Sequence, residues 1–224
     1  SWTMCPACYR SEHRTRYRAM NQTMTRPSWR RLLALLLFLL ACQQLAGAGL
    51  IKAKAWLAPI LIERAWAQSV SLGGEPVPPW PWADTWPVAR LKVPSQGLER
   101  WVLAGDSGNA LAFGPGHATA SAALGSAGLA VIGGHRDTHF AFLRHLKPGA
   151  ELHLQLPGGH WRTYAVAALE VVDASIQSLP VSSGVEGLLL VTCYPFDALQ
   201  PGGPLRYVVH ALPGARSRGV RYAM

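Results

Sequence analysis

The sequence predicts a mainly β domain, closed or nearly closed into a small barrel and preceded by an N-terminal transmembrane helix. Three observations carry that expectation. From residue 88 onward, short apolar or alternating runs are separated by Gly, Pro, Asp and Asn, the pattern of strands joined by turns. Helical periodicity there is confined to one or two short stretches, and many strands with little helix favour closure of the sheet. Upstream, residues 32–51 (LLALLLFLLACQQLAGAGLI) hold about twenty positions without a charge, enough to cross roughly 30 Å of hydrocarbon as a helix.

Taken in order, residues 1–31 form a basic leader with seven arginines against the single acid Glu12. Its Cys5-x-x-Cys8 pair and His13 would begin a zinc site if a second ligand pair existed. None does, so the segment reads as a disordered cytoplasmic leader, part of it upstream of a true start at Met20 or Met24. Arg26, Arg30 and Arg31 flank the apolar run and favour keeping that end in the cytoplasm, with Lys52 and Lys54 weakening the bias. The reading is a single-pass anchor in the cell (inner) membrane with the following domain on the extracytoplasmic (periplasmic) side. A signal peptide processed near Ala46-Gly47-Ala48 is the rival.

Residues 52–87 read as a juxtamembrane and Pro/Trp-rich linker. Residues 75–87 (EPVPPWPWADTWP) combine five prolines with Trp80, Trp82 and Trp86, which gives a stiff, extended spacer. The tryptophans either rest at a membrane interface or pack back on the domain. Strands are expected at 89–93, 100–104, 128–132, 151–156, 163–172, 187–192 and 205–211. The 151–156 run alternates, placing Leu152, Leu154 and Leu156 on one face and His153 on the solvent side. Residues 188–191 are apolar throughout, as for a central strand buried on both faces. Helix is expected at 140–146, closed by Lys147-Pro148-Gly149, with a second possible turn at 118–124. Residues 88–213 then form one domain and 214–224 a basic tail.

The formal charge of +9 is concentrated at the N-terminus: from residue 65 onward eleven basic residues face ten acidic ones, which argues against a nucleic-acid-binding face. Of the four cysteines, Cys5, Cys8 and Cys42 precede the domain and Cys193 alone lies inside it, so no disulfide framework is possible there. A lone cysteine is an inert apolar residue unless a histidine partner activates it.

Cys193 stands in Val191-Thr192-Cys193-Tyr194-Pro195, where an apolar strand stops at a proline and presents its last side chain at a rim. His135 follows Gly133-Gly134, and such glycines permit another chain to come close. A solvated turn is the blander account of His135-Arg136-Asp137. Arg206 lies thirteen positions after Cys193 (206 minus 193), a spacing that allows strand, turn and return strand; strands so joined can bring its guanidinium fork beside the sulfur to stabilise an oxyanion, while surface solvation is the ordinary account of an arginine at a strand start. Asp137 either orients the histidine or caps a turn. His139, four residues after His135, does not make a metal pair, since the Glu of a helical zinc motif is missing; no metal and no cofactor are expected.

Together these segments resemble the sortase family. The histidine motif is similar to Gly134-His135-Arg136-Asp137-Thr138-His139-Phe140, the cysteine motif to Leu190-Val191-Thr192-Cys193 and the arginine motif to Leu205-Arg206-Tyr207, in the same order and spacing. Trp80-Pro81-Trp82-Ala83-Asp84 and Gly114-Pro115-Gly116-His117 further resemble the Gram-negative, proteobacterial branch. The likeness runs from about Trp80 to Leu212. One departure is Leu189 where the family's Thr-Leu-x-Thr-Cys has its first threonine, which bears on substrate detail.

The resemblance implies an eight-stranded sortase-type barrel with one or two short helices, and a cysteine transpeptidase (a thiol peptidase of the hydrolase class). Its substrate would be an exported protein with a C-terminal signal similar to Leu-Pro-x-Thr-Gly, cleaved through a Cys193 thioester and passed to an amine acceptor. Cys193, His135 and Arg206 would be catalytic; Thr192, His117 and Asp137 would bind substrate or support the site. A peptidase that uses water, and a membrane-tethered binding module without catalysis, are the alternatives.

Overall fold

Strand 187–193 shows why the sheet closes. Leu188 and Leu190 are fully buried on one side of it and Leu189 on the other, so this strand needs neighbours at both edges and cover on both faces. The computed structural model of the chain describes residues 29–176, 184–198 and 202–214. The leader with Cys5, Cys8 and His13, and the tail from residue 215, lie outside the described residues. Eight strands are present: β1 (Pro87–Val93), β2 (Leu98–Ala104), β3 (Gly116–His117), β4 (Leu129–Gly133), β5 (Glu151–Gln155), β6 (Trp161–Asp173), β7 (Gly187–Cys193) and β8 (Leu205–Pro213). They close a barrel in the order β1-β2-β3-β4-β7-β8-β6-β5. Pairs β2/β3 and β4/β7 are parallel and the rest antiparallel.

All seven expected strands appear within about two residues. β3 was not foreseen, because two residues are too few to show alternation. Ala89, Leu91, Val93, Val102, Ile132, Leu152, Leu154, Leu188, Leu190 and Val209 fill the interior, and Phe140 and Leu143 plug one end. His153 stands opposite this face, partly exposed and 3.2 Å from Glu151.

The 140–146 segment forms a 3-10 turn (Ala141–His145). Helix at 118–124 does not form, because side chains claim its backbone groups. The Ser121 hydroxyl donates to Ala118 O at 2.6 Å and accepts from Val131 N at 2.9 Å, and His117 Nε2 lies 2.9 Å from Ala122 O. These bonds peg the loop to β4. A short helix forms instead at Gly108–Leu111 (α2).

The chain divides into two compact units, Ser1–Ala53 and Lys54–Met224. A helix, α1, spans Trp29–Ser71, and its Trp29–Gly49 portion is long and apolar enough to cross a membrane, with a mean hydropathy of 2.0. In the second unit, Ala58, Ile62, Ala65, Trp66 and Ser69 are buried. Ile62 packs with Leu103 and Ala110, and Trp66 lies 5.7 Å from Trp101 between ring centroids. Of the tryptophans of the Pro-rich tract, Trp80 packs edge-on against Phe113 at 5.2 Å, while Trp82 is 83% exposed.

Burying an isoleucine and a tryptophan is worth roughly 2–5 kcal/mol each in core-truncation terms. A fragment beginning at Lys54 is therefore expected to resist urea better than one beginning at Val88, by roughly 5 kcal/mol. Equal denaturation midpoints for the two fragments would show that the helix contributes nothing to the barrel.

Candidate active site

Cys193 and Arg206 lie at facing ends of the adjacent strands β7 and β8, and His135 lies two residues past the end of β4 on the other side of β7. In the β7/β8 ladder Cys193 is the direct partner of Arg206, and Thr192 that of Tyr207. Tyr194 N donates to Leu205 O at 3.0 Å, so Tyr194/Leu205 is a hydrogen-bonded pair and Cys193/Arg206, one step away, is a non-hydrogen-bonded one. In such pairs the two Cβ atoms stand about 4.5–5.5 Å apart on the same face. Alternation assigns that face. Leu188 and Leu190 point into the barrel, so Leu189, Val191 and Cys193 point outward, as do Val208 and Arg206 on β8. Cys193 is a free, partly exposed thiol.

On the other side of β7, the parallel partner β4 pairs Gly133 with Val191. Extended past the strand end, the same offset of 58 (191 minus 133) would set position 135 level with Cys193. Two bonds carry the pairing one residue past the end of β4: Gly134 N donates to Val191 O at 3.1 Å, and the buried Thr192 Oγ1 donates to Gly134 O at 2.7 Å. His135 then leaves the sheet as an exposed residue whose carbonyl accepts from Phe140 N at 2.9 Å. Gly134 has to be glycine here, since a Cβ would stand 2.8 Å from the buried Phe140 ring.

Other expected residues take supporting places. Arg206 Nη1 donates to Gly203 O at 2.7 Å and Leu205 O at 2.9 Å, which ties the guanidinium to its own hairpin. Asp137 is exposed and pairs with Arg136, 3.4 Å from its Nε. His117 belongs to the loop network with Ser121 and Ala122 described above. His139 is held below the usual imidazole range, first by burial and then by the positive charge of Arg100.

Arg136 is the residue that sequence reading undervalued. A solvated turn is the ordinary account of His-Arg-Asp, yet Arg136 is only 7% exposed. Its Nη1 donates to Pro195 O at 2.8 Å and its Nη2 to Ala198 O at 2.6 Å. One guanidinium thus clamps the loop that carries His135 to the loop that follows Cys193. The second loop is also stiffened by Tyr194, Phe196 and Tyr207, with Phe196 and Tyr207 edge-to-face at 5.1 Å. Tyr207 is raised above the usual phenol range, chiefly by burial.

Bonds to a charged donor contribute about 1.5–3 kcal/mol each. Arg136→Leu should therefore lower unfolding free energy by roughly 3 kcal/mol and reduce activity more than the fraction unfolded explains. Denaturation and turnover measured on one preparation check this; an unchanged midpoint would remove the clamp.

Comparison with known proteins gives the family. The family model described as "Sortase domain" matches residues 91–213. Sortase D of Bacillus subtilis (strain 168) is 32% identical over 121 residues, covering 54% of this chain and 60% of that protein. The chain thus spans only about 60% of the length of that relative. Among solved structures, the sortase D5 transpeptidase of Clostridium perfringens superposes with a TM-score of 0.55 at 18% identity, covering 68% of this chain and 93% of its own. Sortase A from Corynebacterium diphtheriae gives 0.51 at 22% identity, over 70% of this chain and 84% of its own. At these identities the structures speak for the barrel alone. With the family model covering more than half of the chain and the barrel closed in the same way, the protein belongs to the sortase family, a family of cysteine transpeptidases.

Proposed function

We propose that the chain is a membrane-anchored sortase of the Gram-negative, proteobacterial branch that cleaves an LPxTG-like C-terminal sorting signal of an exported protein and transfers the acyl group to an amine. The observation that carries this reading is the register that sets Cys193 and Arg206 opposite each other on β7 and β8, with His135 two residues past the end of β4, the parallel neighbour of β7. In the proposed reaction Cys193 gives its thiol proton to His135 and attacks the scissile carbonyl carbon. The oxyanion is held by Arg206. The peptide C–N bond breaks as His135 protonates the leaving amine, and a thioester remains. An acceptor amine then attacks the thioester, His135 takes its proton, the new amide forms and the thiol returns.

The apolar outer face that leads to Cys193, with Val131 and Val191 partly buried on it, suits the Leu-Pro part of such a signal. The proteobacterial assignment rests on its two sequence tracts, and Phe113, which immediately precedes the second, packs on Trp80 of the first. The apolar Trp29–Gly49 stretch supports the anchor, and the arginines ahead of it, Arg26, Arg30 and Arg31, favour placing the barrel on the periplasmic side.

The test is product analysis with the detergent-solubilised full chain, an LPxTG-type peptide and diglycine. Appearance of the peptide–diglycine amide is the expected result. Hydrolysed peptide alone would reduce the protein to a peptidase, and no cleavage would contradict the reading.

A further inference from the structure

A cavity of about 320 Å³ opens beside the His135 loop, lined by Gln96, Leu98, Arg100, Thr138, Arg144 and His145 among others. Its titratable lining is basic, and no carboxylate contributes to it. β2 explains the imbalance. Glu99, its one acid, is the cross-strand partner of Lys92 on the outer face and is engaged there by Arg90 and Lys92. Arg100, the next residue, is the partner of Leu91, a core residue, and so shares the inward face at the mouth of the barrel. Arg100 Nη1 donates to Glu99 O at 2.8 Å, and among the described residues neither Arg100 nor Arg144 has a carboxylate within 4.0 Å.

Arg144 is held as well. Its Nε donates to Ala141 O at 3.2 Å and its guanidinium carbon lies 5.0 Å from the centroid of Phe196, in the loop after Cys193. Two positioned guanidiniums with donors to spare, Arg100 partly buried and Arg144 exposed, stand without a counter-charge and form a site for an oxyanion.

We infer that this cavity binds the anionic group, a carboxylate or a phosphate, of the amine acceptor, held between Arg100 and Arg144 with Thr138 and Gln96 as neutral donors. The inference rests on the transpeptidase reading for the identity of the ligand, but not for the binding itself. Thr138 ties the cavity to the loop that carries His135, so an acceptor anchored there approaches from the β2 side of that loop, away from β8.

Equilibrium dialysis of the detergent-solubilised full chain, without peptide substrate, tests it. Radiolabelled diglycine, diglycinamide and O-phosphoethanolamine are compared at matched ionic strength. Diglycine or O-phosphoethanolamine should bind at least about tenfold more tightly than diglycinamide, and the tighter of the two identifies the source of the anion. Arg100→Gln and Arg144→Gln should each remove that preference; having both guards against one of them failing to fold. Equal binding of all three compounds, or a preference that survives both substitutions, would overturn the inference. A preference seen in a protein that forms no thioester would keep the anion site and refute only the transpeptidase reading.

Discussion

Cys193→Ala should abolish acyl-enzyme formation with a sorting-signal peptide, whereas Cys42→Ala should leave it nearly intact. Both are free thiols. They differ in surroundings: Cys42 lies in the apolar stretch of α1, whereas Cys193 ends β7 with Arg206 as its cross-strand partner. Alanine removes the sulfur and leaves the strand, since the Cys193 side chain points to the outer face and fills no part of the barrel interior. Loss of the adduct with an unchanged circular dichroism spectrum is the expected pair of results. An adduct persisting in the Cys193 variant would mean that another nucleophile does the work.

Arg206→Lys carries the next largest effect. Arginine offers a planar fork that can hold two acceptors at once, while lysine offers one compact, strongly hydrated charge. In the structure one nitrogen of the fork, Nη1, already donates to both Gly203 O and Leu205 O. It can therefore keep one carbonyl and turn another N–H toward an oxyanion formed at Cys193, a division of labour that lysine cannot copy. Loss of one oxyanion donor typically costs about a hundredfold to a thousandfold in kcat, roughly 2.7–4 kcal/mol.

The comparison needs an arginine whose replacement is bland. From sequence alone Arg144, in the short helical stretch, serves as that control. The structure disqualifies it, because it stacks on Phe196 and lines the basic cavity. Arg162 is the better choice, a partly exposed residue of β6 paired with Glu186 at 3.7 Å, an interaction that lysine retains. Near-normal kcat/KM in Arg206→Lys would return Arg206 to the role of a hairpin strut.

The strands were legible because a half-buried strand must alternate, as residues 151–155 do, or be apolar throughout, as residues 188–191 are. The C-terminal part of α1 carried a signal of the same kind. Ala58, Ile62, Ala65, Trp66 and Ser69 recur at helical spacing, yet proximity to the apolar span and the Pro-rich tract drew residues 52–87 into one linker. What could not be read locally were contacts that only the closed barrel creates. Arg136 is buried because carbonyls 59 and 62 residues further along arrive beside it. Arg100 faces the barrel mouth because of its register with Leu91. The reverse holds for Cys193 and Arg206: a strand stop at Pro195, a Gly-Gly-Pro segment and a thirteen-residue spacing already allowed a hairpin.

The central claim is that Cys193 carries the acyl group. Full-length protein incubated with an LPxTG-type peptide, quenched in acid and digested, can be mapped by mass spectrometry. The account predicts one modified fragment, containing Cys193, heavier by the acyl portion of the peptide that precedes the scissile bond and cleared by hydroxylamine. An acyl group found on any other residue, or none on Cys193 while the peptide is consumed, would contradict it.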